Sequence, residues 1–308
     1  MSDLTIVMYH YVRPIFGSEF PGIKGLELEG FGRQLDYLEK HYSIVTTEQV
    51  IDAVVNGKKL PINACWLTFD DGYKDHHKYV LPELLKRNLH GAFFPPRVAI
   101  ETNAMLDVNS IHHILSCASD VQMLVNKLNE ACLSHGITEA LLSFYYKEFG
   151  VPSRFDNADT IYVKSMLQHV LPEEIRNSIT SSLFKDYVGA SEPEFSSKLY
   201  MNLDEVRQLV KSGMYVGSHG SMHYWLDRIS LEKQSQDIQE SLGFLERVGA
   251  PTKRWIMCYP YGSYNDNTFS LLREFGAAIG ITTEVRKAVI SKDDPLTLPR
   301  LDTNDFPQ

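Results

Sequence analysis

The chain reads as an α/β protein, a parallel barrel or a doubly wound sheet, interrupted by a helical insertion. Three observations point there. Short apolar runs rich in β formers alternate with helix-spaced segments near both ends of the chain. The residue types that carry chemistry sit directly after three of those runs. The alternation stops between residues 101 and 197, where only helical spacing remains. At 308 residues the chain suits one barrel-sized domain, so a single domain over 1–308 with a mainly helical insertion at 101–197 is expected.

Leu4–His10 is the first strand-like run, followed by a Pro/Gly-rich loop through Gly25. Phe31–Lys40 has helical spacing, with Leu35 and Leu38 among polar residues, and Thr47 opens a second helix that ends near Gly57. Ala64–Phe69 reads as a buried strand. Tyr79–Asn88 is helical, with Pro82 near its start, and Gly91–Phe94 is a short strand. Toward the C-terminus, Asn202 caps a helix through Lys211, with Asp204 and Glu205 in its first turn. Met214–Ser218, Trp255–Tyr259 and Ala277–Thr282 read as strands, and Leu231–Val248 and Asp266–Phe275 as helices. Between them, Ile111–Leu115, Val121–Leu133, Thr138–Phe149 and Asp159–Val170 look helical. This stretch is a candidate lid or homo-oligomer surface.

Composition limits the functions. The chain is 44% hydrophobic and 22% charged, which are globular values. A net charge of -9 argues against nucleic acid or anionic lipid as a partner, because both need a basic face. No apolar run approaches the roughly 20 residues of a membrane span. The opening MSDLTIVMYH lacks a basic region and a cleavage site, so a cytoplasmic location is expected. The four cysteines form no CxxC pair and are expected to be reduced.

Three segments carry candidate chemistry. Thr68-Phe69-Asp70-Asp71-Gly72 puts two carboxylates after a buried strand, although Asp-Asp-Gly is also ordinary turn chemistry. His219-Gly220-Ser221-Met222-His223 puts two histidines four apart, a spacing that lets them share one face of a helical turn and bind a metal. Tyr259-Pro260-Tyr261-Gly262-Ser263-Tyr264 is an aromatic loop whose faces suit a sugar ring and whose backbone N–H groups suit an oxyanion. A rigid turn is the plainer reading of that loop alone. Jointly, one carboxylate and two imidazoles make a three-ligand site with open positions, and a second carboxylate remains as a general base.

These segments resemble the signature motifs of the polysaccharide deacetylase family, also called the NodB-homology or carbohydrate esterase 4 family. TFDDG at 68–72 matches the first motif. HGSMH keeps both histidines of the second, with Gly220 in the Ser/Thr place. Cys258-Tyr259-Pro260-Tyr261 keeps Pro-Tyr of the third, with cysteine in the place of arginine. VMYHYV at 7–12 and the text from Asp71 to Phe94 are similar to the exopolysaccharide branch. The likeness runs over residues 1–98 and 198–302.

The resemblance implies a distorted (β/α) barrel of about seven strands, NodB-like, that hydrolyses the acetamide of an N-acetylated saccharide in surface-glycan synthesis. It implies Asp70 as base, Asp71, His219 and His223 as ligands of one divalent metal, and Tyr261 as an oxyanion donor through its backbone N–H. Zinc is the default metal, with cobalt and nickel as alternatives. Tyr259, Pro260 and Tyr264 are expected to contact substrate. The family's late Leu-x-His acid has no counterpart, because no histidine follows His223. Asp70 itself, or His10 at the end of the first strand, is the candidate acid, and a structural histidine is the alternative for His10. Arg300 is expected to supply the cation that Cys258 does not. Two other readings stand beside this one: a sugar-binding pseudoenzyme and a hydrolase of a cyclic amide. His76 and His77 are expected at the rim, and the charged helix Glu232–Glu246 reads as a solvated face.

Overall fold

The computed structural model describes residues 3–307. The chain divides into two compact units. The first comprises residues 3–14, 25–103 and 197–307, and holds every strand. The second comprises Ile15–Lys24 and Ala104–Ser196.

The strands are β1 (Asp3–Tyr9), β2 (Val12–Arg13), β3 (Leu26–Glu27), β4 (Ser43–Ile44), β5 (Ala64–Asp70), β6 (Ala92–Phe94), β7 (Tyr215–Val216), β8 (Trp255–Cys258), β9 (Ala277–Ile281), β10 (Ala288–Val289) and β11 (Leu301–Asp302). Seven of them form one sheet in the order β10-β1-β5-β6-β7, with β11 on β1 and β4 on β5. All these pairings are parallel except β1 with β10. The fold is therefore α/β with a sheet of seven strands, as expected. The expected barrel is not confirmed. β8 and β9 pair separately, and single bridges, Ser218 to Met257 and Ile281 to Leu298, are the links among the described residues.

The period of two along the strands explains where the site lies. On one face, Leu4 and Ile6 of β1, Trp66 of β5 and Phe94 of β6 join Ile256, Cys258, Ile279 and Ile281 in one buried cluster. Each such side chain contributes about 1.5–3 kcal/mol of burial. Thr68 and Asp70 continue the Trp66 face, so the alternation carries Asp70 to the interior end of β5. The opposite face builds an aromatic ladder. Tyr9, Phe69 and Phe93 are in register, and their rings stack at 4.9 and 4.8 Å.

Helix ends follow the sequence closely. Thr46 and Gln49 close a capping box on Thr47–Asn56, and Gly57 ends that helix in the left-handed conformation. Asn202 and Glu205 do the same for Leu203–Lys211. The helix Leu231–Val248 has the expected bounds. The expected strand Met214–Ser218 is shortened to Tyr215–Val216.

The second unit is helical: Asp107–Cys117, Val121–Ser134, Glu139–Phe149, Ala158–Ser165 with a π turn over Met166–Val170, and Glu173–Val188. Glu173–Val188 escapes the sequence reading because Asn177 to Ser182 is a run of weak helix formers. Burial of Ile179, Leu183 and Phe184 overrides that preference. Phe20, read from sequence as part of a loop, packs edge-on against His113 and Phe195 in this unit. Among the described residues, no helix is long and apolar enough to cross a membrane.

Candidate active site

Asp70 and Asp71 leave β5 in the same direction because the backbone breaks there. Asp71 has φ 69° and Gly72 φ 70°. The left-handed residue cancels the strand alternation that would send the two carboxylates to opposite faces. Gly72 is required twice, since a Cβ there would lie 2.7 Å from Pro95 Cβ as well as strain the backbone. Asp70 and Asp71 are 1% and 3% exposed.

Asp71 Oδ1 is 3.3 Å from His219 Nε2 and 3.4 Å from His223 Nε2. Its other oxygen accepts a 2.5 Å hydrogen bond from the Tyr73 hydroxyl, and Tyr73 is buried under Tyr11 with ring centroids 4.2 Å apart. His219 Nδ1 lies 2.7 Å from the Cys258 carbonyl oxygen. A carbonyl only accepts, so Nδ1 donates to it, and Nε2 is the nitrogen that faces Asp71. Burial favours the neutral forms of Asp71 and His219. The hydrogen bonds outweigh it, holding the carboxyl well below and the His219 imidazole well above its ordinary value. His223 is lowered by burial and by the neighbouring His219.

The histidines do not lie on a helical turn, as their spacing suggested. They flank a bend, with Gly220 at φ 70° and His223 at φ 58°. The bend is held from behind by Asp237, whose carboxylate accepts the backbone N–H of Ser221 at 2.9 Å and of Met222 at 2.8 Å. Asp237 is 2% exposed, so the helix that read as a solvated face contributes a buried charge here. Sequence gave no signal for it beyond an acidic residue in a helix.

Asp70 is gripped by Arg300, with Nη1 2.9 Å from Oδ1 and Nη2 2.8 Å from Oδ2. Arg300 is 1% exposed, and its Nε donates to the Thr282 carbonyl at 2.8 Å. Burial would raise the Asp70 carboxyl, but Arg300, helped by His219 and His10, lowers it to about 2. His10 Nε2 stands 3.9 Å from Asp70 Oδ2, on a half-exposed side chain. The backbone of His10 is fixed by its carbonyl, which accepts from His76 Nε2 at 2.9 Å. His76 itself is buried, not at the rim, and burial lowers its imidazole to about 4.

The aromatic loop divides. Tyr261 has φ 59° and stacks on Trp225 with centroids 4.3 Å apart and planes at 7°, while His223 meets its ring edge-on at 4.7 Å. Trp225 was not singled out from sequence. Tyr259 was expected to touch substrate, but it is fully buried and donates its hydroxyl to the Leu296 carbonyl at 2.7 Å. Pro260 is buried as well, and Tyr264 is half-buried against Tyr259 and Phe269. These packing roles replace the expected substrate contacts for Tyr259 and Pro260.

The donor set fits a divalent cation. One ligand atom from each of Asp71, His219 and His223 lies within 4.8 Å of the others, and all three side chains are buried. Two imidazoles and a carboxylate, with Asp71 held by the Tyr73 hydroxyl and His219 by the Cys258 carbonyl, suit such an ion, which would displace the proton on His219. Asp70, His219 and Cys258 also cluster, but Arg300 occupies both Asp70 oxygens and burial raises the Cys258 thiol. That keeps the sulfur protonated and a poor ligand.

Residues 179–280 match the polysaccharide deacetylase family. That segment holds both histidines and the aromatic loop, while Asp70 and Asp71 lie outside it. Deacetylases of this kind share the fold over nearly the whole chain. The Streptococcus pyogenes deacetylase PplD in complex with acetate aligns at TM-score 0.58 and 16% identity, over 98% of this chain and 92% of that one. IcaB from Ammonifex degensii aligns at 0.57 and 18%, over 98% and 91%. A de-N-acetylase from Aggregatibacter actinomycetemcomitans aligns at 0.58 and 18%, over 98% and 96%. At these identities the likeness establishes the fold. No curated protein matches the chain.

Proposed function

We propose that the protein is a metal-dependent hydrolase that removes the acetyl group from an N-acetylated saccharide and releases acetate. The observation that carries this reading is the convergence of Asp71, His219 and His223 beside an ionised Asp70. The match to the polysaccharide deacetylase family model supports the acetamide as the bond cleaved.

A divalent cation held by Asp71, His219 and His223, zinc by default with cobalt or nickel as alternatives, would supply Lewis acidity to the amide carbonyl and make water more acidic. Asp70 takes the proton of the attacking water. Arg300 keeps that carboxylate ionised and oriented. The backbone N–H of Tyr261 donates to the oxyanion as the carbonyl becomes tetrahedral. The departing amine then needs a proton. Asp70 can return the one it received, and Arg300 makes that return favourable because it disfavours the protonated acid. His10, 3.9 Å from Asp70, is the second candidate donor. The Trp225–Tyr261 stack offers apolar surface to a sugar ring.

Acetate release from N-acetylated oligosaccharides, measured with the zinc-loaded protein, tests the reading. It predicts loss of release in both Asp70→Asn and His219→Ala. Undiminished release in either variant would remove that residue from the reaction. Cys258, in place of the motif arginine, is the observation that favours a pseudoenzyme. Arg300 answers it by delivering a guanidinium to Asp70 from another segment. A protein purified with no bound metal and unable to acquire any would favour the pseudoenzyme.

A further inference from the structure

Because His219 and His223 flank a bend, no helical hydrogen bonds fix the distance between them. We infer that Asp237 is the positioning residue of this bend and thereby sets the affinity of the site for a divalent cation. The inference rests on the reading of Asp71, His219 and His223 as ligands.

Asp237 binds two of the three residues between the histidines and leaves no room for a side chain on the third. Its Oδ2 accepts from Ser221 N–H and its Oδ1 from Met222 N–H. The third residue is Gly220, where an added Cβ would stand 2.9 Å from Asp237 Oδ2. With φ at 70°, a side chain at this position is strained by the backbone and crowded by the carboxylate. An outer layer braces the same bend. Arg97 Nε donates to Ser221 Oγ at 2.6 Å, Ser221 Oγ donates to Glu240 Oε2 at 2.8 Å, and Arg97 Nη2 donates to Glu240 Oε2 at 2.7 Å.

The carboxylate is chemically specific here. It offers two acceptor atoms to two adjacent N–H donors in a buried place. An amide offers one acceptor and one donor, so it would satisfy one N–H and oppose the other. Removing the side chain would leave both donors without a partner. Either change frees the bend to shift, and ligand atoms tolerate only about 0.2 Å of error at a metal.

The test uses the full chain as parent, Asp237→Asn and Asp237→Ala. Zinc affinity is measured by competition with a chromogenic chelator, and the thermal midpoint is measured on metal-free protein. We expect affinity to fall about 10-fold for Asp237→Asn and about 100-fold for Asp237→Ala, the range seen when outer partners of ligands are lost. The metal-free midpoint of Asp237→Asn should fall less than that of Asp237→Ala, since one N–H keeps its acceptor, while zinc affinity already drops, which separates positioning from a general structural role. Gly220→Ala should also weaken binding, and by a smaller factor when Asp237 is already alanine, because the atom it meets is gone. If Asp237→Asn binds zinc within about twofold of the parent, the inference is wrong. That result stands even if Asp237→Ala does not fold. A parent that binds no zinc would overturn the ligand reading itself, which is a different outcome from equal binding by parent and variants.

Discussion

Arg300 closes on Asp70 from 230 positions away in the chain, with both guanidinium Nη atoms on both carboxylate oxygens. The pair is almost fully buried, so its two charges depend on each other. Breaking such a pair leaves an uncompensated charge and costs about 3–5 kcal/mol.

Arg300→Ala should therefore destabilise the fold by that amount and raise the Asp70 carboxyl. Asp70 is depressed from 3.8 to about 2, so its ionised form contributes stability above about pH 4 that is lost as pH falls through 2. In Arg300→Ala that loss, and the acidic limb of the acetate-release profile, should begin at higher pH. Arg300→Lys keeps the charge without the two-pronged fit and should fall between. Acid titration of stability and rate together checks this. An acidic limb unmoved in Arg300→Ala would separate Arg300 from the base.

Asp70→Asn should keep the shape of the side chain and one of the two Arg300 hydrogen bonds while losing the proton acceptor. Release of acetate should drop about 100- to 10,000-fold, the usual worth of a general base. Zinc content should be unchanged, because Asp70 is not among the proposed ligands. Loss of metal in this variant would move Asp70 into the ligand set.

Zinc binding should release protons. The His219 imidazole is held well above its ordinary value against burial, by Cys258 and by Asp71, so a proton and a cation compete for the nitrogen that faces Asp71. Affinity should fall as pH is lowered. Calorimetry in buffers of different ionisation enthalpy counts the protons, and a count of zero between pH 6 and 8 would contradict the coupling.

Tyr73→Phe should lower zinc affinity about 10-fold with little change in fold, since the hydroxyl restrains the second oxygen of Asp71 and the ring stays stacked on Tyr11. Unchanged affinity would mean that Asp71 is oriented by the β5 backbone alone.

What was legible in the sequence is what depends on neighbours along the chain. The helix opening at Thr47, the cap at Asn202, the buried run Ala64–Phe69 and the helix Leu231–Val248 follow from local spacing. Asp70, Asp71, His219 and His223 were visible because they fall at the ends of apolar runs. Arg300 was named because Cys258 stands where a cation was needed. The rest depends on contacts between distant segments. Nothing near Asp237 announces that its carboxylate reaches the histidine bend. Nothing in Tyr259 distinguishes a ring that enters the core from one that faces a sugar. The bend itself was misread because a four-residue interval suits a helical turn and this bend equally.

The parallel pairing of β5 with β6 and β6 with β7 has a consequence for how this protein can be cut. It joins Asp70 and Asp71, from before the helical stretch, to His219 and His223, from after it. The site is thus assembled from two polypeptide halves that meet only through folding, and residues 104–196 run between them in the chain. A protein severed within that stretch would keep each half's share of the donors intact. Neither half would bind zinc alone, and the two expressed as separate chains should regain binding only when they reassociate.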